Sequence, residues 1–206
     1  MWDGLKRAWY RKRLLRSEYD SLFESSPPDE WVSVDCETTG LDRSNDEIIS
    51  IGAVLIRESR IMTSERLELF IRPSGQVKAE SIRIHHLRSM DVAHGLAPLQ
   101  AIQKFLDFVG SRPLVGYYLE FDVAMLDRLA RPFLGIPLPQ RKIEVSGLYY
   151  DYKSSQHANS NVDLSFHNIM QDLQLPERTE HDALNDALMA AMMFVKLRHL
   201  LKKTGR

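Results

Sequence analysis

Apolar residues cluster in five short segments whose pattern predicts β-strands. The predicted strands cover residues 31–37, 48–56, 67–71, 114–118 and 143–148. The second and third are rich in β-branched residues, which favour strands. The link at residues 57–60 is short enough for a hairpin, so we expect the second and third strands to be neighbours in one sheet.

Five further segments repeat their apolar residues at the spacing of an α-helix. The predicted helices cover residues 2–23, 98–109, 121–134, 164–173 and 182–201. The polar residues 151–161 predict a loop. Three strands followed by alternating helices and strands are typical of an α/β domain. The pattern therefore predicts one mixed five-stranded sheet that is flanked by helices and carries an extra helix at the N-terminus.

The N-terminal segment differs from the rest of the chain. Residues 1–28 combine a basic, amphipathic helix with a Ser-Ser-Pro-Pro sequence that ends it, and the predicted domain covers residues 29–206. The simplest interpretation is a helix packed on the domain. A partner-docking arm, a basic strip for nucleic acid and a transit peptide are alternatives, and the acidic residues of the segment argue against the last.

Composition and charge limit the function classes. The chain of 206 residues has 27 Lys and Arg against 28 Asp and Glu, a net charge of −1. A polyanionic partner would therefore need local basic patches or metal ions. The single cysteine predicts a reducing compartment. No apolar signal core or membrane-length segment is found, so we expect a cytoplasmic protein without a membrane partner.

Carboxylates at three places suggest metal chemistry. Asp35 and Glu37 lie two residues apart in a predicted strand, so their side chains share one face at its end. Two adjacent carboxylates repel each other unless a cation such as Mg²⁺ or Mn²⁺ lies between them. Asp122 opens one predicted helix, and Asp186 borders the apolar stripe of another, where an unpaired charge is costly. His181 comes just before that second helix.

Together these residues form an ordered set of motifs at strand ends and helix starts. The motifs are Asp35-x-Glu37, Phe121-Asp122 and His181-x-Ala183-x-x-Asp186. The set resembles the DEDDh family of 3′–5′ exonucleases, which have a ribonuclease-H-like fold and include the epsilon subunit of bacterial DNA polymerase III. The resemblance covers about residues 31–200. Two positions depart from the family pattern: Tyr118 stands where many relatives have Asn, and His86 stands where Gly is usual.

The resemblance implies a set of catalytic roles. The metal ligands for two divalent ions, Mg²⁺ or Mn²⁺, would be Asp35, Glu37, Asp122 and Asp186. His181 would take the proton from the attacking water, a role suited to a neutral imidazole near pH 7–8. The residues expected to bind the terminal nucleotide are Thr38, Thr39, Gly40, Leu41, His85, Tyr118 and Phe121.

The implied function is 3′–5′ hydrolysis of single-stranded or frayed DNA ends to nucleoside 5′-monophosphates, in proofreading or repair. Two alternatives stay open from the sequence. One keeps the same chemistry on RNA, as in oligoribonucleases. The other is an accessory module that binds a DNA polymerase, which the tryptophans of the N-terminal helix suggest. All five catalytic positions are filled, which argues against a purely binding role.

Overall fold

A computed structural model describes residues 2–156, 161–179 and 181–203 of the chain. Its first half contains α1 (Trp2–Lys12), a 3₁₀ helix (Ser17–Phe23), β1 (Glu30–Thr38), β2 (Ile48–Arg57), β3 (Arg60–Phe70), α2 (Ala79–His85) and α3 (Ser89–Val92). Its second half contains α4 (Pro98–Val109), β4 (Leu114–Gly116), α5 (Leu119–Leu134), β5 (Lys142–Glu144), α6 (Val145–Gln156), α7 (Phe166–Asp172) and α8 (Ala183–Lys203). Among the helices of these three ranges, none combines the length and apolar character that crossing a membrane requires.

The five strands form one sheet in the order β3-β2-β1-β4-β5. β1 lies at its centre, antiparallel to β2 and parallel to β4, and β5 continues the parallel side. The mixed five-stranded α/β sheet predicted from the sequence is therefore confirmed. The carboxyl end of β1 meets the carboxyl end of β4, so side chains that follow these two strands come together at one edge.

Helices cover both faces of the sheet. On one face, Phe105 of α4 and Leu126 of α5 pack with Val34 in a shared apolar core. On the other face, Met189 of α8 packs with Val54 in a second core. A central strand that is buried on both faces needs apolar residues at successive positions. This explains why β1 and β2 were recognisable as strands.

Several predicted boundaries are wrong, and each has a local cause. The first helix does not run continuously over residues 2–23, because the backbone N–H of Leu15 turns aside to donate to the carbonyl of Leu134 at 2.8 Å. β3 begins seven residues before the predicted residue 67, at Arg60. Its first half is largely exposed, so the sequence lacks the alternation of a half-buried strand.

The largest error concerns residues 142–161. The fifth strand ends at Glu144, and the predicted strand residues from Val145 onward belong to α6. The carboxylate of Glu144 accepts the N–H of Ser146 at 3.1 Å and starts that helix, while Val145 and Tyr149 share its buried side. The expected loop at residues 151–161 is helical as far as Gln156, and its residues 157–160 lie outside the described residues.

The helices α2 and α3 were not predicted. α2 buries Ser81 and His85, which lie four residues apart on one side of the helix. Because this side is polar, the segment lacks the apolar periodicity by which the other helices were found. The hydroxyl of Ser81 donates to the carbonyl of Thr39 at 2.8 Å, so α2 is held against the end of β1 by polar contacts.

The N-terminal arm packs on the domain, as its simplest interpretation predicted. The guanidinium of Arg7 donates to the carbonyls of Pro139 at 3.2 Å and Leu22 at 3.0 Å. The ring of Tyr19 meets that of Phe133 edge-on with centroids 5.4 Å apart. These contacts fasten residues 2–23 to the end of α5 and the segment after it. The division into an arm at 1–28 and a domain at 29–206 stays a prediction.

A glycine lets α8 approach the sheet closely enough to bring its acid to β1. Gly52 of β2 pairs directly with Asp35 of β1. A Cβ atom at Gly52 would lie 2.2 Å from the backbone of Ala183 and Leu184, at the start of α8. Any larger residue must therefore push the beginning of this helix away from the sheet.

We expect Gly52→Ala to lower the free energy of unfolding by about 1–3 kcal/mol, the usual cost of overpacking a core. The measurement is urea denaturation followed by circular dichroism. Gly147→Ala is the matched control, because a Cβ there meets nothing within 4 Å. The control should be neutral or stabilising by up to about 1 kcal/mol. Equal stability of both variants would contradict the close approach.

Candidate active site

Three carboxylates meet at the carboxyl end of β1. Asp35 and Glu37 point to the same face of the strand, and Asp186 reaches them from the first turn of α8. One oxygen from each lies within 4.8 Å of the others. Among the described residues, these three side chains are the group of Asp, Glu, His or Cys residues that lie close enough together to share a metal ion.

Asp122 lies next to this trio but is held differently. It sits in the first turn of α5 with 4% of its surface exposed, and its Oδ1 accepts the backbone N–H of Cys36 at 3.0 Å. The acid therefore touches the strand between the two β1 carboxylates. Burial is the largest cause of the raised pKa of Asp35, and the negative charge of Asp122 is the next largest. The structure thus gathers all four predicted acids, with Asp122 outside the tightest group.

The acids perturb one another strongly. Burial raises the pKa of Glu37 to about 7, and the charges of Asp186 and Asp182 add to the shift. Burial and the neighbouring carboxylates also raise the pKa of Asp35 well above its ordinary value. Burial raises the pKa of Asp122 as well, against the opposing effect of the Cys36 N–H. Such mutual repulsion is expected where a cation is to be bound.

His181 lies at the mouth of the acidic cluster. Its backbone is left-handed, with φ 61°, and its N–H donates to Oδ2 of Asp186 at 3.0 Å. The residue is exposed and lines a cavity of about 170 Å³ together with Asp35, Tyr117 and Phe166. The backbone bond fixes the histidine beside the acid, while the ring stays open to solvent.

The residues after β1 form a tightly braced turn. The hydroxyl of Thr39 donates to Oδ1 of Asp46 at 2.9 Å, and the N–H of Asp42 donates to Oδ2 of the same buried carboxylate at 2.9 Å. Lys78 pairs with Asp46 at 2.6 Å, and a Cβ at Gly40 would fall within 2.4 Å of this acid.

Two more of the predicted nucleotide-binding residues, Thr38 and Leu41, belong to the end of β1 and to this turn. The hydroxyl of Thr38 donates to the carbonyl of Gly40 at 2.6 Å. The side chain of Leu41 is 79% exposed, so the braced turn presents it to solvent.

The remaining predicted substrate residues lie on both sides of this turn. His85 is buried, and its Nδ1 accepts the N–H of Leu87 at 3.0 Å, which leaves the hydrogen on Nε2. The rings of Tyr118 and Phe121 lie nearly parallel, with an angle of 11° and centroids 6.2 Å apart. Tyr118 is 61% exposed, whereas Phe121 is buried.

Both departures from the family pattern fall on left-handed backbone. Tyr118 has φ 53° and His86 has φ 60°. Asn and Gly, the residues that the family pattern has there, adopt this region more readily than Tyr or His. The backbone of Tyr118 is held by Glu144, which accepts its N–H at 3.1 Å and that of Leu119 at 2.8 Å. This carboxylate caps the start of α5 just before Asp122.

Sequence reasoning missed Asp46, Tyr117 and Phe166. The acid lies in a polar loop, where a carboxylate is usually solvated, so the sequence held no signal of its burial. The two aromatic residues meet edge-on with ring centroids 5.0 Å apart and line the cavity beside His181. They come from segments far apart in the sequence, so only the fold brings them together.

The sequence profile of the RNase T family, described as "Exonuclease", matches residues 32–194, from β1 to α8. The chain belongs to this exonuclease family. The match spans every motif on which the resemblance was based. The match therefore confirms that the chain is an exonuclease domain. It also confirms the predicted fold and the predicted enzyme class, a nuclease.

Proteins of bacterial DNA replication are among the relatives of this exonuclease. It is 29% identical over 187 residues to a PolC-type DNA polymerase III of Thermotoga petrophila, covering 91% of this chain and 13% of that protein. It is 22% identical over 167 residues to the DNA polymerase III subunit epsilon of Aquifex aeolicus, covering 81% and 79%. The chain thus spans a small part of the PolC-type protein and most of the epsilon subunit.

Solved structures share the fold of the exonuclease domain. The zinc-bound complex of E. coli exonuclease I with single-stranded DNA superposes with a TM-score of 0.74 at 11% identity, over 87% of this chain and 42% of that one. Cell-death related nuclease 4 gives 0.69 at 11% identity, over 84% and 64%. These similarities confirm the ribonuclease-H-like fold that the motifs implied.

The donor set of the exonuclease fits a hard divalent cation. All ligand atoms of the compact trio are carboxylate oxygens, which Mg²⁺ and Mn²⁺ prefer, and no thiolate or imidazole belongs to it. The raised pKa values of Asp35 and Glu37 show that the cluster resists carrying its full negative charge in the absence of a counter-ion.

Asp35→Asn removes the negative charge that this position carries above its raised pKa. In EDTA we expect the melting temperature to rise by about 2–4 °C per kcal/mol of relieved repulsion. We also expect Mn²⁺ or Mg²⁺ to raise the melting temperature of the wild type more than that of the variant. The exposed Asp151→Asn on α6 is the matched control. An equal response to metal in both variants would exclude Asp35 as a ligand.

The stability of the metal-free protein should depend on pH. Glu37 has a folded pKa of about 7, above the unfolded value of about 4.3, so the folded chain holds this proton more tightly. In EDTA, stability should therefore fall as the pH rises from about 5 to about 8. Thermal melts at these two pH values should show a smaller difference for Glu37→Gln than for the wild type. Equal differences would refute the assignment.

Proposed function

We propose that the chain is a metal-dependent 3′–5′ exonuclease that hydrolyses single-stranded or frayed 3′ ends of DNA to nucleoside 5′-monophosphates. The observation that carries the proposal is the meeting of Asp35, Glu37 and Asp186 within 4.8 Å, with His181 at the mouth of the same cavity. Relatives that are components of DNA polymerase III support DNA as the substrate and proofreading or repair as the process.

The metal ligands in this proposal are Asp35, Glu37, Asp122 and Asp186. When bound, two divalent ions would supply charge for activating a water and for stabilising the leaving 3′ oxygen. The protein's own part is to hold four carboxylates at one strand end. The N–H groups of Cys36 and His181 hold Asp122 and Asp186 in place at 3.0 Å each.

His181 acts as the general base in this proposal. Its backbone is tied to Asp186, so the imidazole stays near the reacting phosphate but remains exposed at the cavity mouth. An exposed ring can take a proton from the attacking water and release it to solvent. A neutral imidazole is suited to this transfer near pH 7–8.

The turn after β1 would receive the terminal nucleotide. Asp46 braces Thr39 and Gly40, which leaves the exposed side chain of Leu41 free to wedge against a base. The exposed ring of Tyr118, which stacks on the buried ring of Phe121, offers an aromatic surface on the other side. Stacking accepts any base, so we expect little sequence preference.

His85 would add a polar contact near the nucleotide. Its Nδ1 accepts the N–H of Leu87, and its Nε2 is buried, so the ring lies behind the turn and not on its open surface. The turn beside it is Thr38 to Gly40, which α2 buttresses through Ser81. A sugar or phosphate oxygen is the acceptor that the Nε2–H would suit if the turn moved aside on binding the nucleotide.

His181→Ala should slow nucleotide release by at least about a hundredfold, because a positioned base contributes on the order of 10²–10⁴ to the rate. The measurement is a gel time course on a 5′-labelled single-stranded DNA oligomer with Mg²⁺, Mn²⁺ or EDTA. The wild type should give a metal-dependent ladder that shortens from the 3′ end.

The exposed His94→Ala, away from the acidic cluster, is the matched control and should keep the wild-type rate. A wild-type rate for the His181 variant would exclude it as the base. A 5′-labelled RNA oligomer runs beside the DNA, and faster shortening of RNA would favour the oligoribonuclease alternative. No ladder on either substrate from a folded protein would overturn the proposal in favour of a binding module.

A further inference from the structure

A basic cavity lies between the N-terminal helix and the start of β5. Its volume is about 480 Å³, and its lining consists of Lys6, Arg7, Tyr10, Leu138, Pro139, Gln140, Arg141 and Lys142. Four of these eight residues are cations and none is an acid. The cavity is therefore a concentrated positive region on a chain whose net charge is −1.

The cations of this cavity form no ion pair within the described residues, although the carboxylate of Asp127 lies near enough to act on the charge of Lys142. Arg7 donates to the carbonyls of Leu22, Glu24 and Pro139, and Lys142 donates to the carbonyl of Leu138. Lys6 and Arg141 are exposed. Over residues 2–156, 161–179 and 181–203, no ion pair involves any of the four cavity cations. Burial lowers the pKa of Lys142 to about 8, so the charge most available to an anionic partner is that of the exposed Lys6 and Arg141.

A chain of shared lining residues connects this cavity with the acidic cluster. Lys142 also lines a second cavity of about 470 Å³, with Tyr117, Tyr118 and Leu164. Tyr117 in turn lines the cavity of about 170 Å³ that contains Asp35 and His181. Each cavity thus shares one wall residue with the next, and we call this series of three cavities, which includes the exposed ring of Tyr118, the groove.

The acids along the middle of the groove are already occupied. Glu144 accepts the N–H groups of Tyr118, Leu119 and Ser146, so the starts of two helices offset its charge. Glu120 pairs with Arg43 at 2.9 Å. An anionic strand that follows the groove would meet aromatic surface and compensated carboxylates before it reaches the cations.

We propose that this groove binds the 5′ side of a single-stranded nucleic acid whose 3′ end lies at the acidic cluster. The phosphates would approach Lys6, Arg7, Arg141 and Lys142, and a base would stack on the exposed ring of Tyr118. The inference deepens the proposed function and rests on it. It gives the N-terminal helix a role in substrate binding.

Continuity favours a nucleic acid over an acidic peptide. A cation patch alone would suit either polyanion, but the cavities of the groove adjoin one another from the patch to the acidic cluster through the shared wall residues Lys142 and Tyr117. Alternation of aromatic surface and cations is the pattern that binds single strands without sequence preference. It also explains how a chain of net charge −1 holds a polyanion next to a cluster of carboxylates.

The test is equilibrium binding of 5′-³²P-labelled dT15 and dT4 by filter retention in EDTA, where no hydrolysis is needed. Lys6→Glu with Arg141→Glu should weaken dT15 binding by at least about tenfold at low salt. The affinity advantage of dT15 over dT4 should shrink. Lys6→Gln with Arg141→Gln should lower the slope of log K against log salt by about 1.4, since each single-strand phosphate contact contributes about 0.7.

Arg60→Glu with Lys104→Glu is the matched control, because it makes the same charge change at exposed positions outside the groove. Circular dichroism and thermal melts check that all variants fold. Equal weakening by the control pair, equal loss on dT4 and dT15, or unchanged dT15 binding would overturn the proposal. If an acidic peptide competed with neither oligomer yet bound the wild type and not the Glu pair, the cavity would belong to a protein partner.

These outcomes differ from a failure of the proposed function. Absence of metal-dependent nucleotide release from the wild type would refute the nuclease activity but would leave the length-dependent binding unchanged. Conversely, normal release with no length-dependent loss in the Lys6 and Arg141 variants would refute the groove and retain the exonuclease.

Discussion

Repulsion between carboxylates at one strand end is the constraint on which the site depends. Asp35, Glu37 and Asp186 approach within 4.8 Å, and folding holds them there although Asp35 and Glu37 resist carrying their charge. The backbone supplies the restraint. The N–H groups of Cys36 and His181 hold two acids, and the absence of a side chain at Gly52 lets α8 reach β1. The energy of the sheet core is thus used to preorganise a cation site, in keeping with electrostatic preorganisation in enzymes.

Asp46 contrasts with the acids of the cluster, because donors from its surroundings stabilise its negative charge. It is buried but fully compensated, because Lys78, the hydroxyl of Thr39 and the N–H of Asp42 all contact it. Burial alone would raise the pKa of Asp46, but these donors hold it below its ordinary value. Carboxylates therefore have two different structural roles in this domain. Uncompensated carboxylates await a cation, whereas this compensated one fixes the turn that presents Leu41.

The sequence predicted the elements whose pattern reflects burial and missed those held by polar contacts. β1, β2 and α4 follow from apolar runs, and the proposed catalytic set follows from five residues at strand ends and helix starts. α2 was not predicted because its buried side consists of Ser81 and His85. The residues of α6 were predicted as a strand and a loop. Asp46 could not be found, because its burial depends on contacts with a lysine more than thirty residues away.

The departure at Tyr118 becomes understandable when its backbone conformation is considered together with the proposed groove. Tyr118 adopts a left-handed conformation that Asn enters more easily, and Glu144 holds its N–H to keep it there. The strain is confined to this residue. In return, a large aromatic ring lies in the middle of the proposed groove, between the acidic cluster and the basic cavity. An asparagine would satisfy the backbone with less strain but would leave this stretch without a stacking surface. In the proposed groove, the tyrosine thus adds a stacking surface at the cost of local backbone strain.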